Sequence, residues 1–272
     1  MTAGGGLAFD PEGQRRFWGG RLAVDNVGAS SAADGVDLAA ELAFLDTPDQ
    51  RHATARLAPG PGRAMLDLGA GLGVNALKLA RAGSPVVAAD VSGLRLRGAA
   101  ALAGKHGTGA GTGAGRVMAV QCAAEALPFR AGAFAGVTTR SVLIHTDLPR
   151  AVAELRRVMA ADGVGVFTEP MTRNPLVNLY RRTLAPKEWM TLARYFAEPE
   201  LAVFRAAFER METRRWYLTA FLGFGFQFAV KSPRLFGVAV GALNGLDRWL
   251  MARRPRLARL AWFVTVEVGK ED

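Results

Sequence analysis

The chain has one cysteine, Cys122, in 272 residues, so no disulfide can form within it. A chain of this length buries enough core to hold without such staples, and a reducing, cytoplasmic setting is the simplest expectation. Histidine is almost as scarce, confined to His52, His106 and His145. No Cys/His cluster has zinc spacing and no dense set of carboxylates suits magnesium, so no metal is expected. There is no G-x-S-x-G elbow, which removes the usual support for Ser/His/Asp catalysis.

Long apolar runs are missing too. The most apolar stretch, WYLTAFLGFGFQFAV (216–230), ends at Lys231 and contains Gly223 and Gly225. A spanning helix needs about 18 or more apolar residues, so none is expected, although contact with a membrane surface is left open. MTAGGGLAFDPEG at the start lacks a basic stretch followed by an apolar one, and no signal peptide is expected. Acidic residues are in deficit, giving a net charge of +10, and the deficit is local. Residues 1–170 carry 17 Lys+Arg against 15 Asp+Glu, whereas residues 171–272 carry 17 against 9. A basic C-terminal third suits an anionic lipid surface, a phosphorylated substrate or nucleic acid. Nucleic acid ranks last, because no RNA-binding module or aromatic nucleic-acid motif accompanies the charge.

What is present is an alternation of short apolar runs with helical periodicity. Leucines at 38, 42 and 45 predict a helix over 37–45, and PGPG (59–62) then breaks the chain. Strands are expected at 64–68, 85–89, 116–121, 134–140 and 164–169, with helices at 74–82, 94–103 and 148–159 between them. The glycine-rich segment 104–115 reads as a loop. Such alternation predicts a parallel sheet covered on both faces. Beyond Pro170 helical and aromatic segments dominate, until AWFVTVEV (261–268) reads as a last strand returning to the sheet.

MLDLGAGLGVNALKLA (65–80) is the most informative segment. A strand runs into Gly69, Gly71 and Gly73 and then into a helix. Glycine takes the positive φ of a sharp turn cheaply, a bare middle position lets a ligand approach the backbone, and helix-start amides face polar ligand groups. Val74 stands where a dinucleotide fingerprint has its third glycine, which disfavours NAD and FAD. Asp90 ends the second strand, where a carboxylate can accept both hydroxyls of a ribose, unless it caps the following helix, a task open to Ser92 as well.

In order and spacing, LDLGAGLG (66–73), AADVS (88–92), AEALPF (124–129), SVLIHT (141–146) and LRRVMAADGVGVFTEP (155–170) resemble the class I S-adenosylmethionine (SAM)-dependent methyltransferases of the small-molecule, quinone and natural-product type. The resemblance implies an α/β, Rossmann-like three-layer sandwich whose seven-stranded sheet is mostly parallel with an antiparallel last strand. It also implies that SAM is the cofactor and S-adenosylhomocysteine the product. Gly69 and Gly71 would pass beneath the methionine part, with Ala70 and Gly73 also at the cofactor and Asp67 near its amino group. Asp90 would hold the ribose and Val91 pack on adenine. Ala124 would offer its backbone N–H to the adenine ring, Glu125 would also lie at the cofactor, and Ser141 would sit beside it at the end of the fourth strand. The chain departs from the family at Ala123 and Ala135, where aspartates are usual. Losing one neutral contact costs about 0.5–1.5 kcal/mol, too little to abolish a site.

The expected organisation is an N-terminal helical lid segment (1–56), a cofactor-binding core (57–170), a helical substrate lid (171–260) and the returning strand (261–272). If methyl transfer needs a base, His145, which follows the fourth strand, is the first candidate and Glu169, which ends the fifth on the same ligand-binding edge, the second; Tyr180 is a weaker third. The aromatic lid suits a small lipophilic substrate. Arg253, Arg254, Arg256 and Arg259 beside Trp249 and Trp262 suit peripheral contact with an anionic membrane. Two other readings stay open at this level: a SAM-fold protein catalysing another reaction such as cyclisation, and a non-catalytic partner with a decayed cofactor site.

Overall fold

The computed structural model describes residues 11–19, 38–106, 108, 115–183 and 192–270. Three helices come first, α1 (Pro11–Gly19), α2 (Leu38–Leu45) and α3 (Pro48–Leu57). Strands and helices then alternate as β1 (Met65–Leu68), α4 (Val74–Arg81), β2 (Val86–Asp90), α5 (Gly93–Lys105), β3 (Val117–Gln121), β4 (Phe134–Arg140), α6 (Leu148–Val158) and β5 (Met159–Pro170). The remainder is α7 (Pro175–Thr183), α8 (Glu198–Ala207), β6 (Arg210–Trp216), α9 (Pro233–Arg253) and β7 (Phe263–Gly269), with short 3-10 and π turns between.

One sheet of seven strands results, in the order β3-β2-β1-β4-β5-β7-β6. β7 lies antiparallel between β5 and β6, while β1 to β5 run parallel wherever they pair. The two-residue alternation of a strand divides the core into two layers. Leu66, Leu68, Val87 and Val137 meet Ala151 and Leu155 of α6 and Phe204 of α8 on one face. Met65, Val86 and Ala88 meet Leu57 of α3, Ala76 and Leu79 of α4 and Ala103 of α5 on the other. Helix, sheet and helix therefore form the three layers expected.

The region 171–260 is not wholly helical, which corrects the expectation. β6 is an edge strand paired along β7 from Arg210↔Gly269 to Trp216↔Phe263. Its sequence, RMETRRW, is almost entirely polar because charged side chains protect an edge from further pairing, so no apolar alternation marks it. β5 also begins earlier than its apolar run, with an irregularity between Phe134 and Gly136 of β4 absorbing the extra residues. Part of the glycine-rich loop, 107 and 109–114, lies outside the described residues.

A buried polar knot ties the N-terminal helices to the sheet edge. Asp49, at the start of α3 and fully buried, accepts hydrogen bonds from the Thr47 hydroxyl, the Tyr217 hydroxyl and Arg140 Nε, the last at 3.1 Å. Burial alone would raise the Asp49 carboxyl; Arg140 and the two hydroxyls outweigh it and hold it below the usual range. Removing one partner of a buried ion pair strands the other, so Asp49→Asn should destabilise the fold by roughly 3–5 kcal/mol. A lower urea midpoint with an unchanged m-value is the expected readout, and an unchanged midpoint contradicts the knot's role.

Candidate functional site

A cavity of about 500 Å³ opens at the carboxyl ends of β1, β2 and β4. This is where an open parallel sheet leaves a crevice between diverging connections. Asp67, Gly69, Ala70, Gly71, Asp90, Val91, Ala124, Glu125, Ser141, His145 and Tyr180 all line it, eleven of the thirteen residues singled out from sequence. Gly73 and Glu169 do not.

The turn after β1 is held by the Gly69 and Ala70 amides, which both donate to Ala89 O, at 2.7 and 3.0 Å. All three glycines have positive φ. A Cβ on Gly69 would sit 2.1 Å from Val142 Cγ2, and one on Gly73 would sit 2.7 Å from Ala99 Cβ. Gly71 differs, since a Cβ there would meet nothing nearer than Arg95 Nη1 at 3.9 Å. Gly73 is thus a packing glycine and N-cap of α4, and Gly71 is the one that leaves backbone bare toward the cavity.

Asp90 Oδ2 accepts the Gly71 amide at 2.9 Å and its Oδ1 accepts the Ser92 amide at 2.8 Å. Ser92 Oγ caps α5 by accepting from the Arg95 amide, so Asp90 is not needed as the cap. Asp67 Oδ1 accepts from Asn75 Nδ2 at 2.9 Å, whereas Oδ2 is buried without a hydrogen-bond partner. Burial pushes the Asp67 carboxyl up to about 7. An orphaned carboxylate oxygen, a bare backbone turn and a second carboxylate at the end of β2 fit an amino-acid nucleoside carrying a cationic amine at one end and ribose hydroxyls at the other.

The strand-end acid Glu169 has a different task. It is fully buried, and its Oε1 accepts from the Thr139 hydroxyl and the Val142 and Leu143 amides at 3.0, 3.2 and 3.1 Å. These bonds shape the turn after β4, where Ser141 takes φ +57 and Val142 presses on Gly69. Glu169 is therefore a positioning residue for the turn and not a base facing the cavity, which corrects its assignment. His145 ends the same turn; its Nδ1–H donates to Leu192 O at 3.3 Å, leaving the Nε2 lone pair available. Burial pushes its pKa down to about 4, so it is neutral at physiological pH. Tyr180 lines the cavity as well. His52, without an evident partner in sequence, pairs with Glu267 at 2.5 Å, and His106 caps α5.

Several cavity residues had no signal in the sequence. Arg140 owes its place to Asp49, a pairing across the fold. Arg95 lies 4.9 Å from the Trp18 ring, and Trp18 meets the His145 ring edge-on at 5.0 Å. Arg181 and Tyr195 line the far end with Phe224, Trp262 and Phe263.

Residues 66–167, which carry this turn and both carboxylates, match the family described as methyltransferase domain. The match, over less than half of the chain, supports a core of the class I SAM-dependent methyltransferase type. The chain is 38% identical over 144 residues to a demethylmenaquinone methyltransferase of Clavibacter sepedonicus, a match that spans 50% of this chain and 55% of that protein. Likeness of fold to solved structures extends beyond the matched residues. A geranyl diphosphate C-methyltransferase from Streptomyces coelicolor A3(2), in complex with magnesium, geranyl diphosphate and S-adenosylhomocysteine, superposes with a TM-score of 0.60 at 16% identity, covering 96% of this chain and 98% of that one. The cyclase SpnF superposes with a TM-score of 0.55 at 20% identity, covering 85% and 81%.

Burial raises the Glu169 carboxyl from 4.5 to about 7 against the pull of its donors. The folded chain then holds a proton that the unfolded chain has lost, so Glu169 costs stability as pH rises from 4.5 to about 7. Asp67 acts in the same direction from 3.8 upward. Glu169→Gln should therefore reduce, without abolishing, the fall in unfolding free energy across that window, measured by denaturant titration at successive pH values. An unaltered slope contradicts the protonation of Glu169.

Proposed function

We propose that this chain is a SAM-dependent methyltransferase acting on a small, lipophilic molecule. The supporting observation is one continuous cavity, with the glycine turn, Asp67 and Asp90 at one end and Phe224, Trp262 and Phe263 at the other. Asp67 is suited to hold the cofactor's amino group, Asp90 its ribose, and Val91, Ala124 and Glu125 to border its base. Bound SAM supplies an electrophilic methyl group on sulfonium sulfur. The chain's own work is geometric: fixing the acceptor atom in line with that methyl contributes about 7–11 kcal/mol. α1, α2 and α7 contribute Trp18, Phe44 and Val177 to the walls and keep water from the transfer. His145 Nε2 takes the proton where the acceptor is still protonated. The relative's name, a demethylmenaquinone methyltransferase, supports a quinone-like aromatic acceptor.

Mass spectrometry of a host small-molecule extract incubated with enzyme and methyl-deuterated SAM should reveal a labelled product together with S-adenosylhomocysteine. His145→Ala should slow labelling of a hydroxyl acceptor without weakening S-adenosylhomocysteine binding. SAM recovered intact beside an unlabelled, rearranged product would instead establish a cyclase of the SpnF kind, and absence of SAM binding a decayed partner protein.

The same reading extends to peripheral membrane contact. No helix among the described residues is long and apolar enough to cross a bilayer. α9, however, exposes Leu235, Val238, Leu246 and Trp249, at spacings that share one helical face, with Val238 73% exposed. Arg253 lies 4.6 Å over the Trp249 ring, and Arg234, Arg248 and Arg254 are exposed beside that face. Apolar residues flanked by arginine suit the headgroup layer of an anionic membrane. Phe236 on the inner side of α9 packs on Phe224, a wall of the cavity, at 5.2 Å, so the face lies close to a route for lipophilic substrate. Co-sedimentation with phosphatidylglycerol vesicles, lost on Val238→Glu and absent with phosphatidylcholine alone, is expected. Self-association through this face without vesicle binding would contradict it.

A further inference from the structure

We propose that the far end of the cavity binds an anionic group of the substrate, a carboxylate or phosphate, and that Arg181 is the residue that holds it; this rests on the methyltransferase reading above. Arg181 is on α7, 5% exposed, and lines the cavity. Both of its hydrogen bonds leave Nη1, to Met171 O at 2.9 Å and Asn178 Oδ1 at 3.0 Å. Its guanidinium lies 3.5 Å from the centre of the Tyr195 ring. Among the described residues Nε and Nη2 make no hydrogen bond, and no carboxylate forms an ion pair with Arg181.

The other cavity arginines differ in this respect. Arg140 is paired with Asp49, and the Arg95 charge is opposed by Asp90. Asp67, Asp90 and Glu125 belong to the glycine-turn end, and Glu41 of α2 has an interaction of its own. A buried guanidinium among neutral neighbours is costly unless an anion joins it. Burial pushes the Arg181 pKa down to about 10, which leaves it charged at neutral pH. Nε and Nη2 present two parallel donors, the fork that matches the paired oxygens of a carboxylate or phosphate. Val177, Phe224, Trp262 and Phe263 supply apolar wall around it. The ligand that matches both features is a lipophilic acid or phosphate monoester, its apolar body against the aromatic rings and its charge on Arg181.

Calorimetry with octanoate, octyl phosphate, octanol and octylamine, on protein saturated with S-adenosylhomocysteine, tests this because the probes share one chain and differ in headgroup. The anionic probes should bind at least about tenfold more tightly than octanol, and octylamine most weakly. The tighter of the two anions identifies the headgroup. Arg181→Met should erase the preference while leaving S-adenosylhomocysteine affinity unchanged, and Arg181→Lys should keep part of it. Should Arg181→Met fail to fold, the wild-type ranking of the probes decides alone. Equal binding of octanoate and octanol, no binding of either anion, or a preference that survives Arg181→Met overturns the proposal. An anion preference in protein that does not bind S-adenosylhomocysteine would sink the methyltransferase reading and uphold this site.

Discussion

Three glycines at alternate positions hold the turn after β1, and each answers to a different neighbour. Gly69 yields its side-chain space to Val142 from the turn after β4, and Gly73 yields its own to Ala99 of α5. These two close approaches lock the turn between its neighbours, and the positive φ of all three positions excludes most other residues. Gly71, between them, is the position where backbone meets open cavity. The site therefore depends on a steric constraint before any charge is considered: a helix and a loop must pack against bare backbone on either side so that the middle of the turn can face a ligand.

Other features follow from keeping that arrangement rigid. Val142 can press on Gly69 only if the turn at 141–145 is fixed, and Glu169 fixes it through two amides from beneath. Ser141 carries the positive φ this requires. His145, at the end of the same turn, is delivered to the cavity with its Nδ1 engaged by Leu192 O. Asp90 accepts the amide of Gly71 itself, so the carboxylate proposed to grip the ribose also holds the turn that would carry the rest of the nucleoside. Around the far end, Asp49 links α3 to Arg140 at the end of β4 and to Tyr217 just past β6. One buried carboxylate thus fastens the covering segments to the sheet edge they enclose.

How much of this is legible in sequence depends on how local its cause is. The strand-turn-helix at 65–80 and Asp90 at the end of β2 are written in contiguous residues, and both lie where their spacing predicts. The return of β7 to the sheet was legible for the same reason, as an apolar run, whereas its antiparallel direction was implied by the family resemblance. β6 escaped because charged side chains outnumber the apolar ones along it, Met211 and Trp216 packing inward without a run of apolar neighbours. Glu169 was assigned to the wrong task because a carboxylate at a strand end reads identically whether it faces a ligand or the amides of a neighbouring turn. Arg140 and Arg181 were unmarked because what distinguishes them, a buried partner in one case and its absence in the other, is decided by residues far away in the chain.

The central claim is that this turn and the Asp90 carboxylate bind one nucleoside together. Titrating S-adenosylhomocysteine into the wild-type protein and into Asp90→Asn tests it most directly, since asparagine keeps an acceptor for the Gly71 amide and removes the charge. Saturable binding to the wild type is expected, weakened at least about tenfold in the variant. A wild-type protein with no affinity for S-adenosylhomocysteine, or a variant that binds it equally well, would contradict the account.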